Sequence, residues 1–276
     1  MINYFGNKII LRSIICIVLI INISCNNSNP KKYKIVSKEG MVFIPGGNFE
    51  MGGDNEEARS DEFPKHQVTV SSFWMDITEV TNAEFQKFVD ETGYITTAER
   101  KIDWDEIKKM LPPGTPKPHD SLLSPASLVF KETSTSNLND YSKWWSLIRN
   151  ANWKQPFGTQ SDIVGKDNYP VVHVSWEDAN EYCKWAGKRL PTEAEFEYAS
   201  RAGMINNVYS WGNEKVDDGM LKANTWEGEF PNQNNVTDKF YYAAPVKSFK
   251  ANNYGLYDLA GNVWEWCSDW YHANYY

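Results

Sequence analysis

The sequence contains few histidines and cysteines, which ligate zinc and copper and serve as catalytic bases and nucleophiles. Its 276 residues include four cysteines and four histidines. The histidines are scattered without the spacing of a zinc site, so a histidine-ligated metal is not expected. They also lack a local signature of Ser-His-Asp catalysis. No basic run is interleaved with aromatic residues, and the net charge is −8, so nucleic acid is not an expected partner.

The apolar run near the N-terminus is too short for a comfortable transmembrane helix. It covers residues 13–24 after Lys8 and Arg12, whereas a membrane-spanning helix needs roughly 20 residues. The run stops at Cys25, which resembles the processing site of bacterial lipoproteins, although Asn22 stands where an aliphatic residue is usual. Cys25 is therefore the expected lipidation site, with an ordinary secretory signal or an uncleaved anchor as the alternative. We expect an exported protein, lipid-anchored to the bacterial cell envelope on its periplasmic or surface side.

The rest of the chain is expected to form one globular domain. Residues 1–24 are the predicted signal peptide, 25–40 a polar tether and 41–276 the domain, with a variable insertion at about 100–165. Hydrophobic residues make up 41% and charged residues 23%, as in ordinary soluble proteins. Twelve tryptophans and fifteen tyrosines lie throughout the chain and can order loops by burying their rings.

Three helices are predicted from capping boxes, in which a Ser or Thr is followed three residues later by an acid. These helices begin at Thr81, Ser175 and Thr192 and end near Gly93, Gly187 and Gly203. Strand patterns occur at 41–53, 66–75 and 169–176. Long stretches rich in Gly, Asn, Pro and Trp separate these elements. The sequence therefore indicates an α+β domain with much ordered loop.

Cys183 and Cys267 are the two cysteines expected inside the domain. An even number of cysteines in an exported protein normally indicates disulfides, but these two need not pair with each other. Cys183 lies on the apolar face of a helix and Cys267 is similarly placed, so a disulfide or core role is favoured over a nucleophile. His173 lies in an apolar strand pattern that favours a core histidine. The acidic run at 54–62 lacks the spacing of a calcium loop and is interpreted as a surface loop.

The order of several segments resembles the formylglycine-generating enzymes, also called sulfatase-modifying factors. They include IPGGNFEMG, ITEVTNAEFQKFVDETGYITTAE, YPVVHVSWEDANEYCKWAGKRLPTEAEFEYASRAG and APVKSFKANNYGLYDLAGNVWEWCSDWY, in family order from about 41 to 271. Residues 149–158 also resemble an Asn-Trp loop of the catalytic branch, with Gln155 and Phe157 where His and Glu are usual. The resemblance implies a fold related to C-type lectins, with little regular secondary structure and bound calcium.

The resemblance further implies the activity and its metal ions. Family members oxidise a Cys in a Cys-x-Pro-x-Arg motif of newly exported sulfatases to formylglycine, using oxygen and copper held by two thiolates. Calcium would be held by hard side-chain and main-chain oxygens. The first calcium site would use the side chains of Asn224 and Asp238 and the carbonyls of Thr225 and Phe240. The second would use Asp258 with the carbonyls of Leu259, Gly261 and Val263.

The resemblance places the copper-binding cysteine pair, and the disulfide partner of Cys183, beyond Tyr276. The chain is thus expected to be a fragment or a truncated member of the family. Copper is expected only in a protein that contains the missing segment. Trp264, Trp266 and Trp270 would then be uncovered, and the isolated chain is expected to be unstable.

Two function classes follow from the family. The first is a lipid-anchored formylglycine-generating oxidase serving exported sulfatases, which the loop at 149–158 favours. The second is a non-catalytic surface lipoprotein with a structural role in motility, secretion or adhesion, which the lipid anchor favours. Sugar binding is a weaker third idea because no Glu-Pro-Asn or Gln-Pro-Asp triplet occurs.

Overall fold

The computed structural model describes residues 37–134, 140–216 and 218–272 of the chain. The predicted signal peptide, the lipidation site Cys25 and most of the tether lie outside the described residues, and their assignment stays a prediction. Within the described ranges, no helix combines the length and the apolar character needed to cross a bilayer.

Seven short strands form three small antiparallel sheets in the described part of the chain. The strands are β1 (Ser37–Lys38), β2 (Met41–Ile44), β3 (Gly47–Met51), β4 (His66–Val70), β5 (Phe73–Asp76), β6 (Ala126–Phe130) and β7 (Trp145–Arg149). One sheet has the order β1-β2-β5, and the other two are the pairs β3-β4 and β6-β7. Alternation along β2 buries Val42 and Ile44 and exposes Phe43. The strand predictions at 41–53 and 66–75 are confirmed.

The helices of the described chain are α1 (Asn82–Thr92), α2 (Trp104–Ile107), α3 (Trp176–Ala186) and α4 (Glu193–Arg201). The capping boxes at Thr81, Ser175 and Thr192 are all formed, so each cap satisfies backbone N–H groups that the helix leaves unpaired. All three predicted helices are therefore confirmed. The third ends at Ala202, with a left-handed φ of +46°, one residue before the predicted glycine.

Two apolar clusters form the core. The first packs strands β2 and β4 against α4 and the segment around Leu256. The second is aromatic and joins α1 to α3 through Phe85, Phe88 and Tyr182. Trp153 lies fully buried within it, its ring centroid 5.2 Å from that of Phe85. The loop at 149–158 is thus fixed to both helices by its tryptophan.

A buried aspartate ties α3 to the segment that follows α1. Asp178 is fully buried and accepts hydrogen bonds from the hydroxyl of Tyr94, the N–H and hydroxyl of Thr97, and the N–H of Ser175. These bonds are between 2.8 and 3.1 Å long. All of these partners donate to Asp178, and a carboxylate without a proton can only accept hydrogen bonds, so it suits this position.

The prediction of a strand at 169–176 is wrong. Only an isolated bridge between Pro170 and Thr81 forms there, and His173 has a left-handed φ of +59°. Val171 and Val174 pack on the aromatic cluster from an irregular segment, so their β-branched pattern reflects burial rather than sheet pairing. The predicted insertion at 100–165 contains the β6-β7 pair and α2.

His173 is a hydrogen-bonded interior histidine, in keeping with its interpretation as part of the core. Its Nδ1 lies 2.9 Å from the hydroxyl of Ser127 in β6, and its Nε2 lies 2.8 Å from the carbonyl of Pro156. Burial lowers the pKa of its imidazole. The neutral ring therefore links the insertion hairpin to the loop at 149–158.

Candidate functional site

The side chains of the first predicted calcium site lie on two chain segments that hydrogen bond to each other. Asn224 donates from Nδ2 to the carbonyl of Tyr242 at 2.8 Å. Glu227 accepts the N–H of Asp238 at 3.1 Å and the hydroxyl of Thr237 at 2.6 Å. Asn224, Glu227 and Asp238 are all buried. Glu227, which sequence reasoning missed, therefore holds the backbone that positions Asp238.

Asp238 has a buried carboxylate oxygen without a hydrogen-bond partner. Its Oδ1 accepts the N–H of Phe240 at 2.8 Å, whereas Oδ2 is buried and unpaired. Burial, together with the charge of Glu227, raises the pKa of the Asp238 carboxyl. An unpaired buried polar group costs about 1–3 kcal/mol, and more when it is charged. A bound cation would remove that cost, so the residues around Asp238 fit a calcium ion.

The second predicted site brings Asp258 beside Glu79, another residue that sequence reasoning missed. Glu79 is 6% exposed; its Oε1 accepts Nδ2–H of Asn262 at 2.8 Å, and its Oε2 is buried without a partner. Asp258 accepts the N–H of Lys247 at 2.8 Å. Burial and the charge of Asp258 raise the pKa of Glu79 to about 7, and burial also raises that of Asp258. A buried carboxyl beside a half-buried one, both with raised pKa values, fits a cation.

A cavity of about 530 Å³ adjoins this second site. Its walls include Glu79, Glu265, Cys183, Trp264 and Trp266. Glu265 lines the cavity and is exposed to solvent, and desolvation by the surrounding protein raises the pKa of its carboxyl to about 8. The charges of Glu79 and Asp258 act in the same direction.

Trp264 and Trp266 on the cavity wall, and Trp270 four residues further along the chain, present their rings to solvent. Trp264 is 98%, Trp266 49% and Trp270 93% exposed. This exposure matches the expectation that the three rings are uncovered in this chain. The instability expected of the isolated chain stays a prediction.

Cys183 and Cys267 are free thiols and are not bonded to each other. Burial raises the pKa of each thiol, that of Cys267 to about 12 with help from the charge of Asp269. Both are therefore protonated near neutral pH, which disfavours a nucleophilic role for either. A disulfide with a cysteine elsewhere stays a prediction.

Clusters of metal-ligating side chains are absent from residues 37–134, 140–216 and 218–272: no three Asp, Glu, His or Cys side chains are grouped for a metal. The calcium sites implied by the resemblance depend on main-chain carbonyls and on one or two side chains each, so they need no such group. Cys183 lies on the cavity wall and Cys267 does not. These two thiols therefore do not fit a two-thiolate copper site.

The loop that resembles the catalytic branch lies next to the residues of the first predicted calcium site. Asn152 accepts the N–H groups of Lys154 and Gln155 in a tight turn. The ring of Phe157 lies 4.6 Å, centroid to centroid, from that of Tyr242, whose carbonyl binds Asn224. Of the two positions that depart from the family pattern, Phe157 thus adjoins the segment of the first predicted site.

Comparison with solved structures defines the fold class. The structure matches that of PvdO from Pseudomonas aeruginosa with a TM-score of 0.56 and 24% identity, over 89% of this chain and 77% of that chain. The model of the sulfatase-modifying factor enzyme 1-like domain matches residues 26–276. The chain belongs to this family of formylglycine-generating enzymes. The predicted α+β fold of the family, with little regular secondary structure, is confirmed.

Relatives with the family activity in their names share more than two fifths of the sequence. The chain is 45% identical to the formylglycine-generating enzyme of Mus musculus over 84% of this chain and 58% of the relative. It is 43% identical to the formylglycine-generating enzyme of Streptomyces coelicolor over 87% of this chain and 72% of that relative. The inactive C-alpha-formylglycine-generating enzyme 2 of Bos taurus is 42% identical over 84% and 71%. The chain thus spans just under three fifths of the length of the mouse relative.

Proposed function

We propose that the full-length protein is a formylglycine-generating oxidase that acts on exported sulfatases carrying a Cys-x-Pro-x-Arg motif. The supporting observation is the identity of 45% and 43% to two formylglycine-generating enzymes over most of this chain. The loop at 149–158, which Trp153 anchors in the aromatic core, adds support because it resembles the catalytic branch.

The copper chemistry is proposed for the full-length protein and not for the residues described. The resemblance to the family places the copper-binding cysteine pair beyond Tyr276, and we propose that the full-length protein carries the pair there. Copper held by two thiolates supplies the one-electron oxygen chemistry of the reaction when it is bound. The present chain supplies the scaffold, in which the buried loop at 149–158 and the carboxylate sites fix the positions of long irregular segments.

We propose calcium at both carboxylate sites. The first ion would be held by Asn224 and Asp238, with the carbonyls of Thr225 and Phe240. The second would be held by Asp258, with the carbonyls of Leu259, Gly261 and Val263, and the unpaired Oε2 of Glu79 adds negative charge beside it. Calcium accepts such mixed oxygen sets, and it would balance carboxylates that the protein leaves without donors.

The oxidase proposal predicts an aldehyde product. The full-length protein, loaded with copper and supplied with oxygen and a thiol reductant, is expected to convert the Cys of a Cys-x-Pro-x-Arg peptide to formylglycine. Mass spectrometry and capture by an aldehyde-reactive hydrazide measure the product. A matched peptide with Ser in place of Cys is expected to stay unchanged. A folded, copper-loaded protein that yields no aldehyde would contradict the proposal.

A non-catalytic lipoprotein of the same fold is the second candidate. The chain is almost as similar to an inactive relative as to the active ones, at 42% identity. In that case the folded full-length protein yields no aldehyde, and a structural role in motility, secretion or adhesion takes the place of the reaction.

We propose further that the protein is exported and anchored by a lipid on Cys25. Protein expressed from its full reading frame is expected in the membrane fraction, labelled by a radioactive fatty acid. Cys25→Ser is expected to lose the label and leave the membrane fraction, whereas Cys16→Ser, a change of the same kind within the apolar run, is expected to keep both. Unchanged labelling of Cys25→Ser would reject the anchor.

A further inference from the structure

We infer that the two calcium sites are coupled through Asn262, so that an ion at one site raises the affinity of the other. This inference rests on the proposed calcium sites and goes beyond them, because neither ligand set includes Asn262. Its side chain is the point where hydrogen bonds from both sites meet.

The first site is joined to Asn262 by two hydrogen bonds. The N–H of Asn262 donates to the carbonyl of Asn224 at 2.8 Å, and Nδ2–H of Asn224 donates to Oδ1 of Asn262 at 3.0 Å. This reciprocal pair fixes both the backbone and the amide group of Asn224, one of the two residues proposed to give the first ion a side-chain oxygen.

The second site is joined to Asn262 through its side chain and through its neighbours in the chain. Nδ2–H of Asn262 donates to Oε1 of Glu79 at 2.8 Å, beside Asp258. Residues 261 and 263, on either side of Asn262, supply proposed carbonyl ligands of the second ion. An ion that orients these two carbonyls must also fix the peptide units of Asn262.

The amide of Asn262 has only one orientation that satisfies its partners. Oδ1 accepts from Asn224 and from the N–H of Ala244, the latter at 2.8 Å, while Nδ2 donates to Glu79. Rotating the amide by half a turn would direct its N–H groups at two donors and its oxygen at a carboxylate. The side chain of Asn262 therefore cannot reorient toward one site without breaking its hydrogen bond to the other.

The backbone around Asn262 leaves little room for independent movement. Asn262 has a left-handed φ of +59°, which Asn tolerates better than most residues. A Cβ added to Gly261 would lie 2.3 Å from the carbonyl oxygen of Asn224, so the second-site loop rests directly on first-site backbone. The first ion to bind orders this shared backbone, and the second ion then binds with a smaller loss of conformational entropy.

Calcium titration of the chelator-treated full-length protein by calorimetry tests this inference. Two ions per chain are expected. Asp238→Ala is used to remove the first site, and the dissociation constant of the second site is expected to rise about tenfold relative to wild type, within the usual range of coupling. When Asn262→Ala is the background, the same Asp238→Ala change is expected to shift that constant less than about twofold.

Two further variants separate coupling from backbone effects and from misfolding. Asn206→Ala is the matched control, because Asn206 is exposed and also has a left-handed φ, of +58°, so both changes place Ala in a strained conformation. In the Asn206→Ala background, Asp238→Ala is expected to raise the dissociation constant of the second site by the same factor of about ten. Asn262→Asp keeps the acceptor for Asn224 and Ala244 but sets a negative charge against Glu79. It is expected to reduce the coupling, and it provides the test if Asn262→Ala does not fold.

The outcomes distinguish the coupling from the sites themselves. Two bound ions whose affinities are independent in wild type would overturn the coupling and leave the calcium sites standing. A tenfold effect that persists in both Asn262 variants would overturn the role of Asn262. No calcium binding by the folded protein would reject the sites and the inference together.

Discussion

Replacing Asp178 by Ala is expected to lower the free energy of unfolding by about 3–5 kcal/mol. Asp178 is fully buried and accepts hydrogen bonds from Tyr94, Thr97 and Ser175. Its removal leaves these donors unpaired inside the protein and breaks the hydrogen bonds that join α3 to the segment after α1. Asp178→Asn is also expected to destabilise, by about 2 kcal/mol, because its amide N–H group would face other donors. Urea denaturation followed by fluorescence measures both changes.

The adjacent acid on the same helix is the control for charge. Glu177→Gln removes one negative charge from the first turn of α3, as Asp178→Asn does, but Glu177 is exposed. This change is expected to shift the free energy of unfolding by less than about 0.5 kcal/mol. If Asp178→Asn is as stable as the wild type, the buried carboxylate does not join the two segments as the hydrogen bonds indicate.

In calcium-free buffer, rising pH is expected to destabilise the protein through Glu79. Burial and the charge of Asp258 raise the pKa of Glu79 from 4.5 to about 7 in the folded state. The folded state therefore binds this proton more tightly than the unfolded state, and the resulting stability is greatest below pH 4.5. It is lost as pH rises to about 7, with a total fall of up to about 3 kcal/mol.

Denaturation curves between pH 5 and pH 8 with a chelator present measure this effect. Glu79→Gln is expected to remove most of the decline, whereas Glu56→Gln, a change of the same kind in the exposed acidic loop, is expected to keep it. Added calcium is expected to stabilise the wild type more at pH 8 than at pH 6, because the ion needs ionised carboxylates. A wild-type decline that persists in Glu79→Gln would contradict the assignment.

The helices could be predicted from the sequence because their signals are local. The capping boxes at Thr81, Ser175 and Thr192 need only residues within one helical turn, and each forms as predicted. The prediction at 169–176 fails for a related reason. Valines that pack into an aromatic core from a loop give the same alternating pattern as valines in a strand.

The candidate site was only partly predictable because its partners are far apart in the chain. The family resemblance indicated Asn224, Asp238 and Asp258, but Glu79 and Asn262 are separated by 183 positions and meet only in the folded chain. Glu227 and Glu265 read in the sequence as ordinary surface acids. Their burial or enclosure depends on tertiary packing, which no local pattern encodes.

The bond between Glu79 and Asn262 has a consequence for biogenesis. Tyr198 similarly reaches back 153 positions to Pro45, and Arg201 reaches back 149 positions to Gly52. Contacts of such high sequence separation form slowly, because the intervening chain must be made and closed into a loop first. The N-terminal strands therefore remain without their core during most of synthesis. Such late completion of the fold suits the export proposed above, because a translocation pore passes unfolded chains.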